Sequence, residues 1–459
     1  MKYIGIDLGS SFIKAVFLDL DEGKVIAYSK HPTPQKEKNR NVNVFEIQAS
    51  HIVGTVQTLI DEFTTTYKDV EGVILSTQMH GFVYSIPNRE DRYVSWQDMR
   101  CLDMMPQSDC SYLEWLQKEI SPEQMERNGV YLKPSLGLCN LYTLLEEDDE
   151  IPRDGTLYTL GSYIIHSLTG NNVCHISNAA PLGIVDVASR CWDRKLLQGL
   201  GMSNMKLPRL AQNDYEVCGT YNSNGCQLKV HPDYGDMQIA TLGSQIGFGD
   251  IVVNVATAAQ VIRYTRDFCP GIYEIRPYLE GSYLYTISNM PSGRNLDVLV
   301  NFFREIVLEL TGEEVDAQTV WKHIHDGKLH DGEGLKVETG FYKNPFFSEG
   351  GAIYGITQNN MHIDTICHAA IVDMSNVYWH YIQRLGEAPE SIKRIICAGG
   401  VSWKTPELCQ TIAEVSGKRC QLSPIIDEAL SGLYQVSLVC SGVCSSIDES
   451  RKYYLQFEG

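Results

Sequence analysis

The stretch YIGIDLGSSFIKAVFLD, residues 3–19, decides how this chain is read. Two apolar runs flank a short polar tip, Gly9-Ser10-Ser11. Runs of this length, rich in Ile, Val and Phe and broken by glycine and serine, read as two β-strands joined by a tight turn. Asp21-Glu22-Gly23 makes a second turn and Lys24–Ser29 a third strand, so the chain opens on a β-meander. An amphipathic stretch follows at 46–68, where Ile47, Ile52, Val53, Val56, Leu59, Ile60 and Phe63 recur at helical spacing. Gly72–Ser76 is a short apolar strand. Strands alternating with helices predict an α/β fold.

The opening pattern has an echo. Residues 249–266, GDIVVNVATAAQVIRYTR, again read as strand, polar turn, strand. The echo points to duplicated halves, expected at 1–240 and 241–459. A long helix is expected at 361–385 and a strand, RIICAGG, at 394–400. The next helix has Thr405 as its N-cap, Pro406 at its first position, Glu407 in its first turn and Gly417 at its end. Another helix is expected from Asp427 to Val439, and the acidic run Glu146–Glu150 reads as a solvated turn.

Composition excludes several classes. The net charge is −19 over 459 residues. A surface that acidic repels phosphate backbones, so no nucleic-acid partner is expected. The 14 cysteines include no CxxC pair and no zinc spacing. Dispersed reduced thiols indicate a cytoplasmic protein. There is no run of 18 apolar residues and no basic segment leading into an apolar one, so neither a membrane span nor a leader is expected.

Chemistry can sit in four places. At the first tip, Gly9 permits a turn with φ > 0. The amides and hydroxyls of Ser10 and Ser11 can face a phosphate, Lys14 adds a positive charge, and Asp7 can hold Mg²⁺ through water. The second place is TQMHGFV, 77–83, with Gln78 and His80 just past a strand. α/β sheets bind ligands at that end. SWQDMR, 95–100, adds Trp96, Gln97, Asp98 and Arg100, a set suited to a sugar's C–H faces and hydroxyls. The third place is DYGDMQIATLGS, 233–244, a compact turn in which Asp236 can accept a proton during phosphoryl transfer. The fourth is CAGGVSWKTPEL, where Gly399 and Gly400 let a nucleotide approach the backbone. Taken singly, each is equally well an ordinary turn or loop.

Their order along the chain is more specific. A DLGSS hairpin, QMHG near residue 80, WQD.R shortly after, GD.Q mid-chain, a second hairpin with Thr257 and a late Gly-Gly resemble the FGGY carbohydrate kinases. The resemblance covers nearly the whole chain and is weakest at about 105–160 and 297–390. It implies two ribonuclease-H-like domains of the actin and Hsp70 ATPase type around a central cleft. It implies an enzyme that moves the γ-phosphate of ATP to a hydroxyl of a ketose, with Mg²⁺.

Carried onto this sequence, Gly9, Ser10, Ser11, Lys14 and Thr257 would face the phosphates. Gly293, Gly399 and Gly400 would border the nucleotide. Asp236 would be the general base and share the metal ion with Asp7. Gln78, Met79, His80, Trp96, Asp98 and Arg100 would hold the sugar. Members of the family are often dimers; no surface patch in the sequence indicates one.

Within the family, QMHG and WQD.RC resemble sedoheptulokinases and xylulokinases. ISNAAPLGIVD at 176–186, GDMQIA, and the segment RPYLEGSYLYTISNMPSGRNLDVLVNFF lean toward sedoheptulokinase. Four departures stand out: Ala256 where glycine is usual, His175 where an acid is common, Met99 in WQDMR, and no Gly-Glu-Arg near 340–350. They keep a second reading open, a weakly catalytic sugar-binding or regulatory protein on the same fold.

Overall fold

The opening meander forms as its sequence predicts. Strands β1 (Lys2–Leu8), β2 (Phe12–Asp19) and β3 (Lys24–Pro32) run antiparallel in the computed structural model. The structure describes residues 1–148, 150–256, 258–326, 332–342, 350–386 and 388–456. Consecutive residues of β1, Tyr3 and Ile4, are both fully buried, so the strand is covered on both faces. β4 (Val70–Thr77) lies parallel to β1, and β6 (Cys226–Gly235) lies parallel to β4. β5 (Gly219–Ser223) closes the edge.

Helix α1 (Ala49–Thr66) covers one face. Its apolar stripe of Ile52, Val56, Leu59, Ile60 and Phe63 packs with Ile4, Ile6 and Phe17 in one core. Each such side chain contributes about 1.5–3 kcal/mol when fully buried. The helix starts later than the periodicity suggests, because Glu46–Gln48 pair as a short strand with Arg92–Val94. A second correction concerns the acidic run: Glu146 and Glu147 close the helix Gly137–Glu147 rather than forming a turn. A third concerns Asp236. It is not in a turn; it opens helix α2 (Asp236–Gly243) directly after β6.

The second sheet repeats the first. β7 (Asp250–Val255) and β8 (Ala259–Thr265) form a hairpin. With β9 (Tyr283–Met290), β10 (Arg394–Ala398) and β11 (Cys420–Leu422), five of the six strands of this sheet run in the order β9-β8-β7-β10-β11, which matches β3-β2-β1-β4-β6. Helices α3 (Gly293–Thr311), α4 (Ile363–Ile382), α5 (Gly400–Lys404) and α6 (Pro406–Ser416) accompany it. Gly417, at φ +64°, ends α6 as expected, while Thr405 makes no side-chain cap.

The chain divides into two compact units. One is Met1–Gln245 with Arg266–Leu284 and Asp427–Gly459; the other is Ile246–Thr265 with Tyr285–Ile426. The sequence suggested a single cut near 240. The division is interleaved because the last long helix, α7 (Glu428–Cys440), packs on α2 of the first unit. Two glycines permit that contact. A Cβ on Gly243 would stand 1.8 Å from Glu428 O, and one on Gly432 would stand 2.0 Å from Ile239 O. Gly432→Ala is therefore expected to destabilise the protein by about 1–3 kcal/mol, seen as a lower denaturant midpoint. An unchanged midpoint would contradict the close packing.

Among the described residues no helix is long and apolar enough to cross a membrane, and the cysteines form no disulfide.

Candidate active site

Three neighbouring parallel strands, β1, β4 and β6, end together: Leu8 and Gly235 are both in register with Thr77. Gly9, Gln78 and Asp236 follow directly. The fold thus gathers three stretches far apart in sequence at the ligand-binding end of one sheet.

Asp7 sits near the end of β1, opposite Lys14 across the hairpin. It is 9% exposed, and Ser76 Oγ donates to its Oδ1 at 3.0 Å. Burial pushes the Asp7 carboxyl up, and the Lys14 charge opposes this. Burial pulls Lys14 down, but the carboxylates of Asp427 and Asp7 outweigh it and leave the ammonium above its ordinary value. Lys14 Nζ lies 3.5 Å from Asp427 Oδ2.

Ser10 and Ser11 are exposed at the tip. Thr33 braces them from behind, donating from Oγ1 to Gly9 O at 2.8 Å and from its amide to Ser11 O at 3.0 Å. The expected positive φ at Gly9 is not found. What the tip demands there is room: a Cβ would meet Phe12 O at 3.0 Å.

Asp236 is set by the strand before it. Gly235 N donates to Ser177 Oγ at 3.0 Å. Asp233 accepts from His175 N at 2.8 Å, Thr159 Oγ1 at 2.7 Å and Asn178 Nδ2 at 3.0 Å. The stretch resembling a family signature, Ser177-Asn178, is thus what fixes the end of β6. The departure at His175 is also accommodated, since its Nε2 pairs with Asp214 Oδ1 at 2.9 Å and its Nδ1 with Ser177 Oγ at 2.7 Å. Met237 N donates to Asp236 Oδ1 at 2.8 Å. Burial first, and then the negative charge of Asp7, push the Asp236 carboxyl up to about 7.

Gln78 is buried, Met79 and His80 partly so. A Cβ on Gly235 would stand 2.8 Å from Met79 Sδ, so this methionine packs against the strand end that precedes Asp236. His80 holds a left-handed backbone, φ +69°. Its Nε2 lies 3.3 Å from Arg276 Nη2. Glu274 accepts from Lys133 Nζ at 2.7 Å and from Arg276 Nη2 at 2.6 Å. Burial and the charges of Arg276 and Lys133 hold the His80 imidazole well below its ordinary pKa. Burial alone would raise Glu274, yet the same two cations hold it well below the usual carboxylate range.

The sequence reading missed Lys133, Glu274, Arg276 and Asp427. Only the pair Glu274 and Arg276 had a local signal, since an Ile between two charges on a strand puts both on one face.

Trp96 is 38% exposed, as a sugar-facing ring requires. Asp98 and Arg100, expected beside it as sugar ligands, are buried and bound elsewhere. Arg100 donates from Nε to Asp98 Oδ1 at 2.9 Å and from Nη2 to Asp98 Oδ2 at 2.8 Å and Glu46 Oε1 at 2.6 Å. Phe45 N donates to Asp98 Oδ2 at 2.7 Å. Both carboxylate oxygens are occupied, so this pair braces the Trp96 loop.

In the second unit, Gly399 separates β10 from α5 at φ +83°, where a Cβ would meet Asn254 Oδ1 at 2.4 Å and Val255 O at 2.5 Å. Gly400 has open space around it, and a Cβ on Gly293 would stand 2.8 Å from Val401 Cγ2. Gly293 borders a cavity of about 480 Å³ lined by Leu296, Trp321 and Val401 among others. Ala256 is exposed at the β7–β8 tip. Thr257, and most of the segment 340–350 that lacks Gly-Glu-Arg, lie outside the described residues.

Burial raises the carboxyls of both Asp7 and Asp236, and the Asp7 charge raises Asp236 further, with no cation paired to both among the described residues, a donor set that suits a divalent ion. Among the described residues no three His, Cys, Asp or Glu side chains gather as a metal cluster. Mg²⁺ needs fewer, because it keeps waters and phosphate oxygens.

Residues 2–232 match the N-terminal domain of the FGGY family of carbohydrate kinases. The xylulose kinase of Escherichia coli (strain K12) is 25% identical over 230 residues, 47% of this chain and 43% of that protein. The xylulose kinase of Bacillus subtilis (strain 168) is 21% identical over 334 residues, 65% of this chain and 61% of that one. The chain therefore spans about half the length of these relatives. The crystal structure of ligand-bound xylulose kinase from Lactobacillus acidophilus superposes with a TM-score of 0.83 at 18% identity, covering 98% of this chain and 92% of the other. The fold is thus the one shared by these kinases, with two actin- and Hsp70-like α/β domains.

Proposed function

Because this chain belongs to the FGGY family of carbohydrate kinases, we propose that it transfers the γ-phosphoryl group of ATP to a primary hydroxyl of an open-chain ketose. One observation carries the reading: Asp236 opens a helix at the sheet's ligand-binding end with its carboxyl pushed up to about 7. A general base works best with a pKa near the operating pH.

In this reading Asp236 accepts the proton of the attacking hydroxyl. Lys14, held charged by Asp427 and Asp7, and the amides of Gly9–Ser11 offset the charge on the transferring group. Trp96 covers a C–H face of the sugar, and Gln78 and Met79 border it. In the second unit, the cavity beside Gly293 takes the adenosine. Asp7 and Asp236 would hold Mg²⁺, which when bound would neutralise phosphate charge.

The ketose we favour is D-xylulose, because the relatives above are xylulose kinases. Sedoheptulose is the second reading, favoured by Ser177-Asn178 and the 276–303 segment of the sequence. ADP release with Mg-ATP and a panel of D-xylulose, sedoheptulose, D-ribulose, glycerol and no sugar tests both. Strong stimulation by one ketose supports the proposal and names the substrate. A flat panel, with sugars still binding in calorimetry, would favour the weakly catalytic alternative.

The pH dependence has a definite sign. The base acts when ionised, so log kcat/KM should fall as pH drops below about 7 and level off above it. A profile flat from about pH 5 to about pH 9 would contradict the assignment.

A further inference from the structure

The expected sugar ligands leave few open donors. Asp98 and Arg100 bind each other. His80 accepts from Arg276 at Nε2, which puts the ring proton on Nδ1 and closes Nε2 to a ligand. Glu274 has one oxygen on Lys133 and the other on Arg276.

Arg276 stays open. It is 3% exposed, and its Nε and Nη1 have no hydrogen-bond partner among the described residues. A buried charged donor without an acceptor is costly, so such a group in a native protein calls for a ligand. Its strand, Glu274–Pro277, is held by two hydrogen bonds within the first unit. Ile275 N donates to Gly129 O at 2.8 Å, and Gln238 Nε2 of α2 donates to Pro277 O at 3.2 Å. Gln238 lies two residues from Asp236, and the Arg276 charge reaches that carboxyl and lowers its pKa.

The inference rests on the sugar-kinase reading of this same site. We propose that Arg276 determines substrate specificity, donating from its unpaired Nη1 to an sp² oxygen of an open-chain sugar. An sp² oxygen accepts in the plane of its carbon and brings no hydrogen of its own, which suits a planar guanidinium. Two sources carry that oxygen: the C2 carbonyl of a ketose or the carboxylate of an aldonate. A polyol has neither and leaves a buried charged donor poorly satisfied, the situation in which sites reject analogues most strongly.

Calorimetric titration of the full chain with D-xylulose, D-gluconate and xylitol tests this. The wild type should bind xylulose or gluconate at least about tenfold more tightly than xylitol. Arg276→Gln should lose most of that preference. Arg276→Lys keeps the charge beside Glu274 but loses the fork, so it should also show a weakened preference; it decides the matter if Arg276→Gln does not fold.

A wild type that binds xylitol as tightly as the other two, binds none of the three, or keeps its preference in the Arg276 variants overturns the proposal. A preference for gluconate that Arg276→Gln abolishes supports Arg276 and overturns the ketose reading. Loss of ADP release with binding intact overturns the kinase reading and leaves the role of Arg276 standing.

Discussion

Replacing Asp236 with asparagine is expected to lower kcat by about 10³-fold while the protein still folds. The carboxyl's raised pKa explains why folding should survive. The folded state holds the Asp236 proton more tightly than the unfolded chain does. Its contribution to stability is therefore full below the ordinary value of 3.8 and is lost as pH rises through about 7. At neutral pH and above, the ionised carboxyl opposes folding, and asparagine removes that penalty. Asp236→Asn should then melt no lower than the wild type above about pH 7. Retention of more than about a tenth of the activity would exclude Asp236 as the base.

The largest expected loss of stability comes from a residue first read as a sugar ligand. Arg100→Met leaves Asp98, fully buried, without its guanidinium partner and Glu46 with Arg92 alone. Breaking a buried pair from one side typically costs about 3–5 kcal/mol. The denaturant midpoint should fall accordingly, whereas the folded variant should bind sugar with an affinity close to that of the wild type. The reverse pattern, normal stability with sugar binding lost, would return Arg100 to the ligand set.

These two residues show what was legible in the sequence. The meander, its echo, the helix ended by Gly417 and the strand before Gly399 follow from apolar period and turn chemistry, which act over a few residues. Asp236 was legible as chemistry but not as structure. A Gly-Asp pair looks like a turn, and only the pairing of β6 with β4 makes it a strand end followed by a helix. Asp98 and Arg100 carry the right chemistry for a sugar, but the backbone amide of Phe45 and the carboxylate of Glu46, more than 50 residues away, claim them first. Arg276 and Lys133 are 143 residues apart. Nothing local announces that they meet at Glu274, because that contact exists only once the strand Glu274–Pro277 is laid against the first unit. The return of α7 was hidden for the same reason, since Gly243 and Gly432 look like ordinary helix glycines until the helices cross.

The central claim is transfer to a primary hydroxyl, and the phosphorus NMR spectrum of the product tests it most directly. The protein is incubated with Mg-ATP and D-xylulose, and the spectrum is recorded with proton coupling. The account predicts loss of the ATP γ signal only when sugar is present, and a new phosphomonoester signal split by two equivalent-type methylene protons. Inorganic phosphate as the sole new signal, or a monoester split by a single proton, would contradict it.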